Sequence, residues 1–115
     1  MITVYGIGNC DTIRKTLNWL REHQLEFEFF DYKKKGISTE LINEFLAHFE
    51  MDELLNRRGT TWRKQPDSIK NNLTRKIAIT LMCSQPSIIK RPIIKNKNQW
   101  SIGYSTETLE SLLAT

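Results

Sequence analysis

At 115 residues, with 39% hydrophobic, 26% charged and 10% aromatic side chains, the sequence has the size and composition of one globular domain able to bury a core without disulfides or a structural metal. No window approaches the roughly 18 consecutive apolar residues of a membrane span, and the first residues lack the basic-then-apolar pattern of a secretory signal, so a cytoplasmic chain with reduced thiols is expected. The net charge of +4 builds up along the chain: residues 1–32 carry three basic and five acidic side chains, 33–66 seven and five, and 67–115 seven and three. That gradient suits an anionic ligand or an acidic partner. Without zinc knuckles or interleaved aromatics, direct nucleic-acid binding is not expected.

The run ITVYGI (2–7) reads as a short strand that can be buried on both faces. From Asp11 the pattern turns helical, with Ile13, Leu17 and Leu20 at helix spacing and Arg14, Lys15, Arg21 and Glu22 elsewhere. EFEFFDY (26–32) alternates at first and reads as a second strand. Strand, helix and strand with short links make a βαβ unit, which predicts that the two strands run parallel. KKKG (33–36) reads as a solvated turn, and residues 38–49 as a serine-capped helix with Leu41, Ile42, Phe45, Leu46 and Phe49 on one face. Residues 51–66 predict a short helix ending at Gly59 as a left-handed C-cap. Asp67 or Ser68 then caps a stretch through Cys83, with Ile69, Leu73, Ile77 and Leu81 at every fourth position. Two apolar runs around KNKNQ predict a hairpin within 91–104, and 105–115 a capped closing helix with Leu109, Leu112 and Leu113 inward.

Cys10 stands where the first strand gives way to the first helix. Amides at a helix start lack intrahelical partners and carry partial positive charge, so they favour a thiolate. An ordinary thiol, with a pKa of about 8.5, is a few per cent ionised at pH 7, whereas a value near 6.5 would make the thiolate the majority form. Gly6 and Gly8 allow a tight turn that keeps the sulfur accessible. A cysteine is often only a small buried hydrophobe, but the polar neighbours Asn9, Asp11 and Thr12 favour an exposed, working thiol. Ile13 occupies the place a C-x-x-C partner would take, so this thiol must exchange with an external one such as glutathione, or with Cys83. Cys83, among Ala78, Leu81 and Met82, reads as a core residue. His23 and His48 have no ligand spacing, and no metal site is expected.

Arg91 precedes Pro92 at the start of a predicted strand, where a proline is tolerated and where an X-Pro bond can be cis. If that strand start lies beside the Cys10 loop, Arg91 would lower the thiol pKa or clamp an anion. A surface arginine at a strand edge is the equal alternative.

The segments YGIGNCDTIRK, NRRGTTWRK and PSIIKRPI, followed by GYS, closely resemble the arsenate-reductase-like ArsC/Spx family in its YffB branch, essentially from end to end. The resemblance implies an α/β thioredoxin-like fold, βαβ plus ββα, built from residues 1–36 and 89–115, with an inserted helical subdomain at about 37–88. It implies that Cys10 is the redox thiol and Pro92 a cis-proline. Of the three arginines that surround the cysteine of glutathione-linked arsenate reductases, one matches Arg91, one is best represented by Arg57, and the third falls on Tyr104. A histidine of those enzymes falls on Gly6. Tyrosine cannot replace a bidentate guanidinium, which weakens the case for arsenate as a substrate.

The first expectation is therefore a monothiol oxidoreductase dependent on glutathione. Cys10 would be its nucleophile and Arg91 its electrostatic partner, with Asn9, Thr12, Arg57, Arg58 and Pro92 around the substrate or glutathione. No cofactor is expected to be bound; glutathione is the co-substrate, and glutathione or a glutaredoxin the resolving partner. A non-catalytic regulator binding RNA polymerase or another protein, as Spx members do, is the alternative, and arsenate reduction comes third.

Overall fold

The computed structural model describes residues 1–114. The chain divides into two compact units, Met1–Lys35 with Arg91–Thr115, and Gly36–Lys90.

The first unit is built on strands β1 (Ile2–Gly6) and β2 (Phe27–Asp31), joined by helix α1 (Asp11–Glu22). They pair in parallel, with Ile2 opposite Phe27 and Gly6 opposite Asp31, as the βαβ expectation requires. The second half of this unit supplies a hairpin, strands β3 (Ile93–Asn96) and β4 (Gln99–Ile102), and a closing helix, α8 (Thr106–Ser111). β3 lies antiparallel to β1, Tyr5 opposite Ile93, and β4 antiparallel to β3. The resulting sheet has the order β2-β1-β3-β4 with β1 central, the mixed sheet of a thioredoxin-like fold.

One sheet face carries the core. Ile2, Val4 and Ile94 meet Ile13, Leu17 and Leu20 of α1 and Leu109 and Leu112 at the C-terminal end. The i, i+4, i+7 spacing of the α1 residues is what puts them on one stripe. Thr16, also buried on that stripe, is satisfied because its hydroxyl donates to the Thr12 carbonyl at 2.8 Å. Leu113 was expected inward but is 50% exposed, because the chain tightens into a 3-10 turn over Leu112–Ala114 and rotates it off the α8 face.

The three lysines read as a turn belong instead to a short helix α2 (Tyr32–Lys35), stopped by Gly36 in the left-handed region at φ +82°. The second unit then holds α3 (Thr39–Leu46), capped by the Ser38 hydroxyl accepting from the Leu41 N–H at 3.1 Å, and α4 (Met51–Leu54), opened by a Glu50–Glu53 capping box. Leu55 leaves the helix to bridge Ile89, so the expected run to Gly59 is interrupted. Gly59 has φ −77° and starts α5 (Thr60–Arg63) rather than ending a helix. The long stretch expected after Pro66 is two helices, α6 (Asp67–Lys70) and α7 (Arg75–Ser84). The helix-poor Asn71 and Asn72 break it, and the Thr74 hydroxyl caps α7 by accepting from Ile77 N–H at 3.2 Å. The buried stripe of α7 is accordingly Ala78, Leu81 and Met82, while Ile77 is exposed and Cys83 partly so, its sulfur 3.8 Å from the Thr39 hydroxyl. No helix among the described residues is long and apolar enough to cross a membrane.

Ile13 also occupies the space over Gly6. A Cβ at position 6 would overlap the Ile13 side chain and stand 3.8 Å from Arg91 Cβ. Gly6→Ala is therefore expected to lower stability by about 1–3 kcal/mol, read from the urea midpoint at an unchanged slope. Adding Ile13→Val, which removes the overlapping methyl, should cost less than the sum of the two single changes.

Candidate functional site

The loop from Ile7 to Cys10 leaves the end of the central strand β1 and enters α1, with Cys10 in extended geometry (φ −146°, ψ 129°) as the N-cap residue of that helix. Its carbonyl already accepts from the Arg14 N–H at 2.9 Å, so the helix begins directly beneath the sulfur. Because β3 runs antiparallel beside β1, the residues that enter β3 arrive next to this loop. Arg91 is half-buried there and donates from Nε to Cys10 Sγ at 3.3 Å. The Arg91–Pro92 peptide is cis, Pro92 is buried, and the Pro92 carbonyl accepts from Gly103 N–H at 2.9 Å.

Partial burial pushes the Cys10 thiol up. The Arg91 N–H contact, the Ile13 amide, the Arg91 charge and the Thr12 amide together outweigh it, so the thiol lies below its ordinary range. Arg91 responds in the opposite sense: burial works against its charge, but the sulfur and the Tyr32 phenol hold the guanidinium protonated. Together these groups favour the thiolate form of Cys10, with a cation beside the sulfur at a helix start. The thiolate is the form in which a cysteine attacks electrophilic sulfur.

Thr12 contributes through its backbone amide, and Asn9 is exposed. Arg57 lies in the second unit, where it pairs with Asp52 at 2.6 Å and stacks over Trp62 at 5.1 Å; Arg58 is exposed. Trp62 is buried and Arg63 exposed. His23 stacks on Trp19, with Nδ1 2.8 Å from the Trp19 carbonyl. Among the described residues no cluster of His, Cys, Asp or Glu could hold a metal ion.

Two residues escaped the sequence reading. Asp31, at the end of β2, is 8% exposed, and its carboxylate accepts from Gly8 N–H at 3.0 Å in the cysteine loop and from Lys33 and Lys34 N–H at 3.0 and 3.2 Å. Tyr32 follows it with a fully buried ring. The available signal was an aspartate at a strand end before a short turn, a residue type that ties up nearby amides; which distant loop it would also hold depends on the sheet register.

The sequence model of the ArsC family matches residues 5–112. A solved structure described as the YffB protein is 37% identical, covers 96% of this chain and 97% of its own, and superposes with a TM-score of 0.90. The solution structure of an arsenate reductase (ArsC) related protein from Brucella melitensis is 38% identical over 99% of this chain and 95% of its own, TM-score 0.80. Among curated relatives, global transcriptional regulator Spx 1 of Oceanobacillus iheyensis is 28% identical over 98% of this chain and 87% of its own length.

The arginine contact sets the direction of one test. Arg91→Ala should raise the Cys10 pKa, so that alkylation by iodoacetamide in a Cys83→Ser background slows at pH 7 while the high-pH plateau is unchanged. The sign follows from the favoured species: the partner that stabilises thiolate is lost, and the rise of reactivity moves to higher pH. An inflection that stays in place would remove Arg91 from the thiol's electrostatics.

Proposed function

This chain belongs to the ArsC family, and we propose that within it the protein works as a monothiol oxidoreductase that uses glutathione as co-substrate. The observation that carries this reading is the Arg91 Nε–Cys10 Sγ contact of 3.3 Å at the start of α1, with the thiol below its ordinary pKa range. Cys10 attacks one sulfur of a disulfide as the thiolate. A new S–S bond forms to Cys10, the old one breaks, and its electron pair leaves on the second sulfur, which takes a proton from water. Glutathione thiolate then attacks the mixed disulfide and returns Cys10 as thiolate; a second glutathione completes oxidised glutathione. Two thiols are oxidised for each disulfide reduced. A resolving thiol is needed from outside because Ile13 stands where a dithiol partner would be.

Arg91 stabilises the thiolate before attack and the departing anion during it. Asn9 and Thr12, which flank Cys10 in the chain, and Pro92, which follows Arg91, are the residues proposed to meet a glutathione moiety. Arg57, paired with Asp52 at 2.6 Å, and Arg58 belong to the second unit and carry no step of this reading.

Protein capture is the second reading, favoured by the end-to-end match to a relative named as a global transcriptional regulator. On it, the chain binds a protein partner and Cys10 is dispensable. Arsenate reduction has less support: the position that would hold a histidine is Gly6, filled over by Ile13, and the third arginine's place is the 40% exposed Tyr104.

Exposure of the Cys83→Ser protein to oxidised glutathione, followed by intact-mass measurement, distinguishes these readings. A single glutathione adduct at Cys10, removed by reduced glutathione, is expected. No adduct together with stable capture of a protein by both the wild type and Cys10→Ser would favour the second reading.

A further inference from the structure

Tyr32 opens α2 directly after Asp31, and its ring is fully buried. A hydroxyl withdrawn from water is normally matched by a hydrogen bond, because leaving it unmatched costs about 1–3 kcal/mol. The Tyr32 Oη is buried with no hydrogen-bond partner among the described residues. The Arg91 guanidinium faces the phenol closely enough for each group to act on the other, through charge and through a side-chain donor–acceptor interaction that falls outside strict hydrogen-bond geometry. Burial above all, helped by the charges of Cys10 and Asp31 and opposed by Arg91, pushes the phenol well above its ordinary range. It is a neutral dipole throughout the working pH range, with its oxygen lone pairs available to a neighbouring cation.

Arg91 thus answers to two groups, the Cys10 sulfur on its Nε and the Tyr32 phenol. The dipeptide Asp31-Tyr32 touches both halves of the pair: Asp31 ties down the cysteine loop at Gly8, and Tyr32 lies at the arginine. We propose that Tyr32 is a positioning residue for the thiol, its buried and otherwise unmatched hydroxyl steadying the Arg91 guanidinium on the sulfur of Cys10. The proposal rests on the oxidoreductase reading only in taking Cys10 as the working thiol. The titratable groups around the phenol are Cys10 from the loop after β1, Asp31 from β2 and Arg91 from the approach to β3.

The test is a double-mutant cycle in the Cys83→Ser background: Tyr32→Phe, Arg91→Ala and both together, each read as the pH profile of Cys10 alkylation by iodoacetamide. Phenylalanine keeps the ring and removes only the oxygen. Tyr32→Phe is expected to slow alkylation at pH 7 by about threefold, equivalent to a modest upward move of the profile, with the high-pH plateau unchanged. In the Arg91→Ala protein it should add nothing, because the phenol acts through the guanidinium. An unchanged profile, or a shift of the same size with and without Arg91, would overturn the assignment, as would a loss of thermal stability with no change in profile, which would make the hydroxyl a purely structural group. Should Tyr32→Phe fail to fold, 3-fluorotyrosine at position 32 weakens the same oxygen as an acceptor and should move the profile in the same direction; no movement again overturns the idea. Iodoacetamide requires no glutathione, so a chain that fails to form a glutathione adduct refutes the oxidoreductase reading without touching this outcome.

Discussion

Everything at the site depends on one contact, Arg91 Nε to Cys10 Sγ, between residues 81 positions apart in sequence. Only the sheet makes it possible. The antiparallel register that sets Tyr5 opposite Ile93 makes the exit from β1 and the entry to β3 the same place. A residue two positions before β3 must therefore arrive beside the loop that follows β1. The pairing has chemical weight because both groups are partly withdrawn from water, where a charge interaction at an effective dielectric constant of about 20 is about four times as strong as in bulk solvent.

The loop is held from the opposite side by the other neighbour of β1. In the parallel register Gly6 faces Asp31, which brings the Asp31 carboxylate to Gly8 N–H. A buried carboxylate is costly unless its lone pairs are occupied; here three backbone N–H groups occupy them, one in the cysteine loop and two at the start of α2. A Cβ at Gly8 would come within 3.0 Å of that carboxylate, so the glycine serves close approach as well as turning. The sulfur consequently rests on a loop pinned to both flanking strands and continued into a helix packed on the core. Such a loop presents a preset nucleophile and avoids the ordering entropy a mobile one would incur on each encounter.

The parts that repeat locally were legible in the sequence. The α1 stripe, the parallel βαβ unit and the hairpin each follow from apolar spacing and short links, and the structure has them within a residue or two of the expected ends. The helical unit was less legible because its boundaries are decided by single caps and by tertiary bridging. Leu55 is drawn from its helix by pairing with Ile89, 34 positions on, and Thr74 restarts a helix that Asn71 and Asn72 had let go. Neither event leaves a periodic trace. The same holds at the site: Cys10 and Arg91 are visible as residue types in suggestive places, whereas Asp31 and Tyr32 acquire their positions from the sheet register, which no local pattern of residues 26–35 encodes.

The absence of a second cysteine in the loop is bound up with the core. Ile13, three residues after Cys10, is fully buried in the α1 stripe and fills the space left by Gly6 on β1. Replacing it with cysteine would remove two methylene-sized groups from a packed interior and open a cavity against Val4 and Ile94, a loss between the roughly 0.5–1.5 kcal/mol of an Ile→Val change and the roughly 2–5 kcal/mol of Ile→Ala in well-packed cores. Glycine at position 6 and isoleucine at position 13 are thus a matched pair, and the pair commits this loop to one thiol. With one thiol, a mixed disulfide formed at Cys10 on the proposed reading would have no neighbour in the loop to release it, and its lifetime would be set by the thiol that reaches it from elsewhere. Chemistry of that kind would favour a nucleophile held toward its ionised form and a cation able to stay beside the sulfur through attack and release, the part that the proposed reading gives to Arg91, 3.3 Å from Sγ.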